Sequence, residues 1–215
     1  MLRTLSPEIL DQLPHDDPDA RHCRRDLRWI NFFMGNVRWL KRRLQELPAS
    51  STIVELGAGD GALAHSIPES AQATWIACDL APRPEHWPES WQWHEGDLFT
   101  ALPQISGTAA LGNLILHHFS EAQLQTLGGF FTKYDRILFS EPLRLPRVLF
   151  LSRLMELLAI NHVTRHDMRV SIRAGFRGKE LPSLLELDPK LWDIDIKETW
   201  MGAYRLDARR KVTSP

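Results

Sequence analysis

The sequence predicts an α/β fold built on a mostly parallel, seven-stranded sheet, and three observations lead to it. Short apolar runs alternate with helical patterns from residue 52 onward, a glycine loop follows the first of these runs, and the last two segments alternate polar and apolar residues. Strands that alternate with helices are joined by crossover connections, which make neighbouring strands parallel. The chain of 215 residues is 43% hydrophobic, enough for one sizeable core, so we expect a single globular unit.

The first predicted element is a helical cap over residues 1–48. Between residues 21 and 47 apolar side chains recur at helical spacing, and an interruption near Gly35 predicts two helices. This segment also carries many large side chains, namely Trp29, Phe32, Phe33, Met34 and Trp39. Either they dock the helices on the sheet, or they form one wall of a ligand crevice over which the cap lies as a lid.

Residues 49–215 form the second region, which carries the sheet. Five strands are predicted in chain order, at residues 52–56, 73–80, within 91–99, within 108–116 and within 134–142. A helix begins near Asp60 or Gly61 after the first strand, and Asp97 lies just beyond the third. Ser120 is suited to be the N-cap of the helix that precedes the fifth strand.

The tail after the fifth strand is predicted to leave the sheet and then return to it. Residues 145–160 have the apolar face of a helix, residues 161–169 form a polar segment, and residues 170–187 are predicted to be an extended piece followed by a helix. We expect residues 143–180 to form a lid-like insertion. Residues 191–199 and 200–209 alternate with period two, which predicts an antiparallel pair of strands at the sheet edge.

Composition argues against several classes of function. Lys and Arg number 26 against 27 for Asp and Glu, so no net field favours nucleic acid as a partner. Cys23 and Cys78 lack the spacing of metal or redox sites, which indicates a reducing, cytoplasmic setting and no bound metal. No window approaches the roughly 20 apolar residues that a membrane helix needs, so no integral membrane span is predicted.

The loop after the first strand reads G-A-G-D-G, with glycines at 57, 59 and 61. Residues without a β-carbon let a ligand approach the backbone closely. A dinucleotide fingerprint would read G-x-G-x-x-G, but here the third glycine arrives one residue early and Glu55 stands two residues before the first. A carboxylate beside a phosphate cradle would repel a diphosphate, whereas it suits a ligand that carries an ammonium group.

The run E-L-G-A-G-D-G, with Asp79 at the end of the second strand and G-D-L-F after the third, resembles the class I S-adenosylmethionine-dependent methyltransferases. The resemblance covers residues 53–142. It implies a Rossmann-like methyltransferase sheet with helices on both faces, S-adenosylmethionine as cofactor and S-adenosylhomocysteine as product. One departure concerns the start of the fourth strand. The family often has an Asp there, whereas in this chain that position falls near Thr108 and no Asp is present.

The resemblance also implies a role for each matching residue of the cofactor site. Glu55 would organise the loop and face the methionine end, while the backbone of Gly57, Ala58 and Gly59 would lie along the cofactor. Asp79, with Leu80 beside it, would accept both ribose hydroxyls, because a carboxylate offers two oxygens to two donors. The adenine and methionine contacts would come from four further residues, namely Asp97 and Leu98 for the adenine, and Asn113 and Leu114 for the methionine.

A methyl acceptor that reacts through oxygen must lose a proton, and histidine is the side chain best suited to take it at neutral pH. His117 and His118 follow the fourth strand, where such a pair is either a base or part of the architecture. His166 and Asp167 lie in the insertion that would cover the acceptor. Adjacent side chains of an extended segment point apart, so these two need not act together.

The combined features predict an enzyme of secondary metabolism that transfers a methyl group to oxygen of a small, hydrophobic phenolic or hydroxylated molecule. The chain resembles quinone-biosynthesis and natural-product O-methyltransferases, and it lacks the N-P-P-Y or D-P-P-Y run of many amino-methylating enzymes. The acceptor is expected to be aromatic or lipid-like, and the protein a monomer or homodimer. Alternatives are C-methylation of a quinone or polyketide-like acceptor, a non-catalytic S-adenosylmethionine-binding partner subunit and, disfavoured by Glu55, a nicotinamide-dependent oxidoreductase.

Overall fold

A twisted seven-stranded sheet with strand order β3-β2-β1-β4-β5-β7-β6 organises the chain. The computed structural model describes residues 1–14, 17–67, 73–155 and 160–211. The strands are β1 Thr52–Leu56, β2 Thr74–Asp79, β3 Gln92–Glu95, β4 Ala109–Asn113, β5 Arg136–Pro142, β6 Trp192–Glu198 and β7 Ala203–Arg210. Strand β7 lies between β5 and β6 and is antiparallel to both, whereas the other six strands are parallel. The predicted sheet and its antiparallel terminal pair are therefore confirmed.

Eight helices surround the sheet within the part of the chain that the structure describes. They are α1 Pro18–Met34, α2 Asn36–Leu44, α3 Ala62–His65, α4 Leu98–Ala101, α5 Glu121–Phe131, α6 Pro146–Met155, α7 His162–Ala174 and α8 Glu180–Leu184. Short 3₁₀ turns occur at Leu10–Gln12, Leu102–Gln104 and Leu116–His118. No helix among the described residues has the length and apolar character needed to cross a membrane.

Each face of the sheet has its own core because strand side chains alternate in direction. On one face Val54, Leu56 and Ile76 pack with α5, whose Leu124 and Phe131 are fully buried. The other face packs against α2 and a group of tryptophans, which includes Trp75, Trp87, Trp91 and Trp93. Burial on both faces explains why the central strands are nearly continuous apolar runs.

The predicted break between the cap helices lies at Gly35, which adopts φ +68° and closes α1. A residue with a β-carbon would be strained in this left-handed conformation, so glycine is required there. Before α1, residues 1–14 form an arm that runs beside α7 and holds only one short 3₁₀ turn, at Leu10–Gln12. The predicted cap therefore contains two helices preceded by a largely non-helical arm.

One predicted element was wrong, because the polar segment after residue 161 is the helix α7 and not an extended piece. Asn161 caps it by accepting the Val163 N–H. Its buried stripe is Val163, Asp167, Val170 and Ala174, at helical spacing. An aspartate occupies one of these inner positions, so the apolar periodicity is hidden in the sequence. The helix predicted over 145–160 is observed over Pro146–Met155, and residues 156–159 lie outside the described part.

Candidate active site

The glycine loop turns sharply between β1 and α3 because Gly57, Gly59 and Gly61 all have positive φ, at 65°, 59° and 73°. A β-carbon on Gly57 would lie 2.7 Å from the Ile115 side chain, so this glycine is required by packing as well as by conformation. A β-carbon on Gly59 would meet no atom within 4 Å. The loop therefore presents the backbone of Gly59 to open space.

Asp79 connects the end of β2 to this loop. Its carboxylate accepts the Gly59 N–H at 2.7 Å and the Ala81 N–H at 2.8 Å. An ionised carboxylate has about four lone-pair positions, so each oxygen retains capacity for a further donor. Leu80, the next residue, is 79% exposed. The carboxylate thus orders the loop and still offers two acceptors at its surface.

Asp97 follows β3 and is the N-cap of α4, where its carboxylate accepts the Phe99 N–H at 2.9 Å. Leu98, the first residue of that helix, is buried. The third strand ends at Glu95, so Asp97 lies beyond its carboxyl end as the sequence indicates. This side chain lies at the same edge of the sheet as Asp79, because β2 and β3 are adjacent and parallel.

Glu55 lies in β1 and is 3% exposed. Burial raises the pKa of its carboxyl to about 8, although the hydrogen bond from the Trp75 indole opposes this shift, and the nearby Asp79 and Asp60 add to it. The indole nitrogen donates to the carboxyl at 2.7 Å. The group is therefore largely protonated at neutral pH, which removes the like-charge repulsion that the sequence argument attributed to it. Its observed contact is to Trp75 of β2.

Asn113 ends β4 and is held by the cap. Its amide nitrogen donates to the Asn31 side-chain oxygen at 3.1 Å, and Asn36 donates to the same oxygen at 3.0 Å. The side-chain oxygen of Asn113 is buried without a partner among the described residues. A buried acceptor without a donor is costly, so this atom suits a ligand that brings one. The next residue, Leu114, has φ +59°, a strained conformation for leucine.

A cavity of about 330 Å³ lies beside the glycine loop, between the sheet edge and helices α1, α6 and α7. Gly59 and Leu114 line the side of the cavity next to the glycine loop, and His117 and His118 line it as well. Its remaining wall is largely apolar and includes Leu27, Ile30, Met34, Leu151, Met168 and Ile172. The structure therefore brings the glycine loop, Leu114 and the two histidines to one cavity.

His117 is buried at 3% exposure and lies between two carboxylates. Its Nδ1 is 2.8 Å from Glu141 and its Nε2 is 3.5 Å from Glu8. Burial alone would lower the pKa of the imidazole, but the hydrogen bonds and charges of Glu141 and Glu8 raise it to about 9. His117 is therefore a cation at neutral pH.

Glu141 is the residue that positions this ring. Its carboxylate also accepts the backbone N–H groups of Ile115 at 3.1 Å, Leu116 at 2.9 Å and His117 at 3.3 Å. Four donors thus converge on one fully buried carboxylate at the end of β5. They fix the turn Leu116–His118 that carries both histidines.

His118 has the opposite electrostatic character. Its ring centroid lies 4.2 Å from that of His117, and its Nδ1 is 3.5 Å from Asp11 of the N-terminal arm. Burial and the His117 charge lower the pKa of His118 to about 4, so its imidazole is neutral at physiological pH. Burial and the charges of Glu8 and Asp167 raise the pKa of Asp11 to about 6. Neutral His118 is thus an available proton acceptor in the cavity wall.

Glu8, His117 and His118 place one ligand atom each within 4.8 Å of one another, a spacing that could hold a metal ion. Burial would raise the pKa of Glu8, but hydrogen bonds and charge from His117 lower it. The carboxylate also accepts a hydrogen bond from Ser171. A proton on His117, whose Nε2 is 3.5 Å from Glu8, can also hold these groups together.

His166 and Asp167 lie on α7 and do not line the cavity. Their side chains touch, with His166 Nδ1 2.9 Å from an Asp167 oxygen, so the expectation that they point apart was wrong. Asp167 is buried, and its carboxylate accepts the N–H groups of Ile9 at 2.8 Å and Leu10 at 2.9 Å. Asp167 therefore attaches the N-terminal arm to α7.

Four residues of the site were not identified from the sequence. Glu141 has a signal, since a carboxylate at the carboxyl end of a buried strand lies where ligands bind in this kind of sheet. Glu8 and Asp11 have none, because the arm reaches the cavity only through tertiary contacts. Asn31 lies within the helical cap, and its position facing Asn113 likewise depends on how α1 packs.

No protein-family model and no curated protein matches the chain. Solved structures do match. The pyocyanin biosynthetic protein PhzM aligns over 95% of this chain and 62% of its own, with 18% identity and a TM-score of 0.62. Human N-acetylserotonin methyltransferase, in complex with S-adenosylmethionine, aligns over 94% of this chain and 61% of its own, with 18% identity and a TM-score of 0.61.

The plantazolicin methyltransferase BamL, in complex with a triazolic desmethylPZN analog and S-adenosylhomocysteine, aligns over 94% of this chain and 92% of its own. Its identity is 8% and its TM-score 0.72. The chain thus spans nearly the whole length of BamL but only 62% and 61% of the lengths of the other two proteins. These likenesses confirm the predicted fold, which is the Rossmann-like fold of class I methyltransferases.

Proposed function

We propose that the chain is an S-adenosylmethionine-dependent methyltransferase that methylates an oxygen of a small, hydrophobic phenolic or hydroxylated molecule. The observation that carries this proposal is the apolar cavity beside the glycine loop, with a neutral histidine and a cationic histidine in its wall. The fold supports it, since the structural neighbours include methyltransferases in complex with S-adenosylmethionine or S-adenosylhomocysteine.

The residues at the sheet edge fit the cofactor. The exposed backbone of Gly59 leaves room for a ligand, the Asp79 carboxylate retains acceptor capacity for two ribose hydroxyls, and the unpartnered Asn113 oxygen can accept from an ammonium group. Glu55, Gly57 and Ala58 would shape the methionine end, Leu80 would lie by the ribose, Asp97 and Leu98 by the adenine, and Leu114 by the sulfur. When bound, the cofactor supplies a methyl group on a positively charged sulfur.

The acceptor would occupy the 330 Å³ cavity, a volume within the range of small-molecule sites, which is roughly 300 to 1,000 Å³. Apolar side chains of α1, α6 and α7 would exclude water and align the acceptor with the methyl donor, and such alignment supplies much of the rate in displacement reactions. An apolar wall with a few polar groups at one end favours an aromatic or lipid-like molecule with a single reactive hydroxyl.

We propose that His118 is the general base that accepts the proton of this hydroxyl. Its low pKa keeps the ring neutral, so it can accept a proton over the whole physiological range. The same low pKa makes it a weak base, which places its contribution near the lower end of the roughly 10² to 10⁴-fold that general bases provide. Asp11, 3.5 Å from His118 Nδ1 and 58% exposed, can pass the proton to water.

His117 would act through its charge. As a buried cation beside the cavity, it stabilises the oxyanion that forms as the acceptor hydroxyl loses its proton. Glu141 holds the ring in place, and the Glu8 carboxylate keeps its second nitrogen protonated. The two adjacent histidines therefore have different tasks, one as base and one as fixed positive charge.

The test is conversion of S-adenosylmethionine to S-adenosylhomocysteine by the purified chain with a panel of phenols, quinols and polyketide-like acceptors. We expect methylation on oxygen, and we expect His118→Gln to lower turnover about 10²-fold while S-adenosylhomocysteine affinity is retained. His94→Gln, on the edge strand β3, is the matched control. His166→Gln tests the remaining sequence prediction and should retain activity, since that ring is outside the cavity. Methylation confined to protein or nucleic acid, or no binding of S-adenosylhomocysteine, contradicts the proposal.

A further inference from the structure

The outer face of α1 carries three aromatic side chains that the core does not cover. Trp29, Phe32 and Phe33 are 58%, 61% and 53% exposed. Their rings touch one another, with centroids 5.7 to 6.4 Å apart. Contiguous exposed rings are unusual on a soluble surface and mark a site of contact with another phase or molecule.

Further exposed apolar side chains lie on the segments that line the acceptor cavity. Phe33 itself lines the cavity. Phe150 precedes the lining residue Leu151 on α6, and Trp200 precedes the lining residue Met201. Six of the large exposed hydrophobic side chains belong to this region, which we call the aromatic rim, and they are Trp29, Phe32, Phe33, Phe150, Leu154 and Trp200.

Helix α1, which carries half of this rim, and the next helix, α2, are strongly basic. Residues 18–44 hold eight Lys and Arg against two Asp and no Glu, a local charge of +6 in a chain whose net charge is −1. One of the two aspartates, Asp26, is buried. The aromatic rings are therefore flanked by cations along the axis of α1 and α2.

These cations collect beside the rings in a cleft of about 430 Å³ at the junction of α1 and α2. Phe32 and Phe33 line it together with Arg38, Arg42 and Lys197. None of these three cations has a carboxylate partner within the described parts of the chain. Glu46 also lines the cleft, but its carboxylate is paired with Arg43, Arg136 and Arg209. The cleft thus places apolar rings beside three cations without a carboxylate partner among the described residues.

We propose that this face of the protein docks on the surface of an anionic phospholipid bilayer. Aromatic rings partition into the boundary between headgroups and acyl chains, and Arg and Lys at the same depth attract anionic headgroups, each by roughly 1 kcal/mol. A second copy of the chain fits poorly, because a symmetric dimer through this face would bring two copies of the cations Arg38, Arg42 and Lys197 together. An anionic bilayer offers an apolar boundary to the rings and negative headgroups to the cations.

Docking in this orientation sets the mouth of the cavity against the lipid. A hydrophobic acceptor could then pass from the bilayer to the cavity between Phe33, Leu151 and Met201 without crossing water. The binding itself requires neither the cofactor nor turnover. Its failure would therefore leave the proposed methyl transfer standing, and failure of methyl transfer would leave membrane docking standing.

Flotation of the full chain with vesicles tests the proposal, using phosphatidylcholine alone or mixed with phosphatidylglycerol. We expect binding to the mixed vesicles, weaker binding to phosphatidylcholine, and loss of binding as salt rises. Arg38→Gln with Arg42→Gln should weaken the partition coefficient about 30-fold, because two cations are removed at roughly 1 kcal/mol each. Trp29→Ser with Phe32→Ser, neither of which lines the cavity, should weaken it at least about tenfold.

The matched control is Lys190→Gln with Leu191→Ser, which removes one cation and one exposed apolar side chain just before β6, at the end of that strand away from Lys197. This variant should bind as the unchanged chain does. The proposal is overturned if the arginine variant and the aromatic variant bind vesicles as well as the control does. It is also overturned if the unchanged chain does not bind vesicles that contain phosphatidylglycerol at low salt. Self-association, or binding to an acidic protein, that depends on Trp29 and Phe32 while vesicles stay unbound also overturns it.

Discussion

Replacement of Glu141 by Gln tests whether His117 is a buried cation. In the folded chain Glu141 and Glu8 raise the pKa of His117 from 6.5 to about 9, and each unit of such a shift corresponds to 1.36 kcal/mol. The contribution to stability is therefore about 3 kcal/mol. Because the folded pKa is the higher one, this contribution is complete below pH 6.5 and is lost as the pH rises through 9.

In Glu141→Gln, burial still lowers the pKa of His117, whereas only Glu8, at 3.5 Å, remains to raise it. We expect the pKa to fall toward its ordinary value. The variant is also less stable at every pH, because the Gln amide cannot accept from all four donors that converge on Glu141, a loss of roughly 1 to 3 kcal/mol. The stability difference between the two proteins should therefore narrow by up to about 3 kcal/mol between pH 6 and pH 10.

Urea unfolding across this pH range measures the difference, and the ring proton shifts of His117 in NMR measure the pKa directly. Glu89→Gln, at an exposed position, is the control and should leave the profile unchanged. If Glu141→Gln does not fold at neutral pH, His117→Gln should flatten the same profile. A stability difference that stays constant with pH, or a His117 pKa near 6.5 in the unchanged chain, would refute the reasoning.

Three further outcomes are expected. Asp207→Asn should cost roughly 1 to 3 kcal/mol in urea unfolding, because buried Arg136 loses a two-point carboxylate partner and keeps only Glu46. Burial raises the pKa of Asp207, but hydrogen bonds from Arg136 and Arg209 outweigh it and lower that pKa, so the contribution of the pair persists at neutral pH and is lost in acid. Gly57→Ala should lower both stability and S-adenosylhomocysteine affinity, since its β-carbon would meet Ile115, whereas Gly59→Ala should lower affinity more than stability by calorimetry. Treatment with EDTA should leave turnover unchanged, because we expect a proton and not a metal between Glu8, His117 and His118. Loss of turnover in EDTA that Zn²⁺ or Mn²⁺ restores would show a metal at this cluster.

The sheet could be predicted because its signals are local. Each strand is a short apolar run, the break at Gly35 needs a left-handed residue, and Ser120 forms the expected capping box with Gln123. The positions of Asp79 and Asp97 follow from the strands, since the carboxyl ends of adjacent parallel strands meet at one edge. Local pattern and topology together were enough to place Asp79 and Asp97 at one edge of the sheet.

The acceptor cavity could not be predicted, because tertiary contacts build it. Asp167 replaces an apolar residue on the inner stripe of α7, which hid the helix, and its carboxylate then fixes the backbone of the arm. That contact and the hydrogen bond from Ser171 to Glu8 help to hold the arm where Glu8 and Asp11 meet the two histidines. The opposite charge states of the adjacent rings likewise depend on burial and on carboxylates from distant parts of the chain.

Helix α1 connects the cofactor crevice, the acceptor cavity and the aromatic rim, so its attachment decides how a ligand enters. Asn31 binds Asn113 at the crevice, and Asp26 accepts the Asn161 N–H at 2.9 Å and the Thr164 hydroxyl at 3.1 Å from the α7 side. At the far end Arg205 of β7 donates to two backbone carbonyls of the α1–α2 junction, at 2.8 and 3.2 Å. A helix held at three points along its length cannot swing away without breaking buried polar contacts at each, at roughly 1 to 3 kcal/mol apiece. With α1 fixed in place, the proposed acceptor would enter past the exposed side chains of the rim, and the surface proposed to meet the membrane would also be the entrance to the cavity.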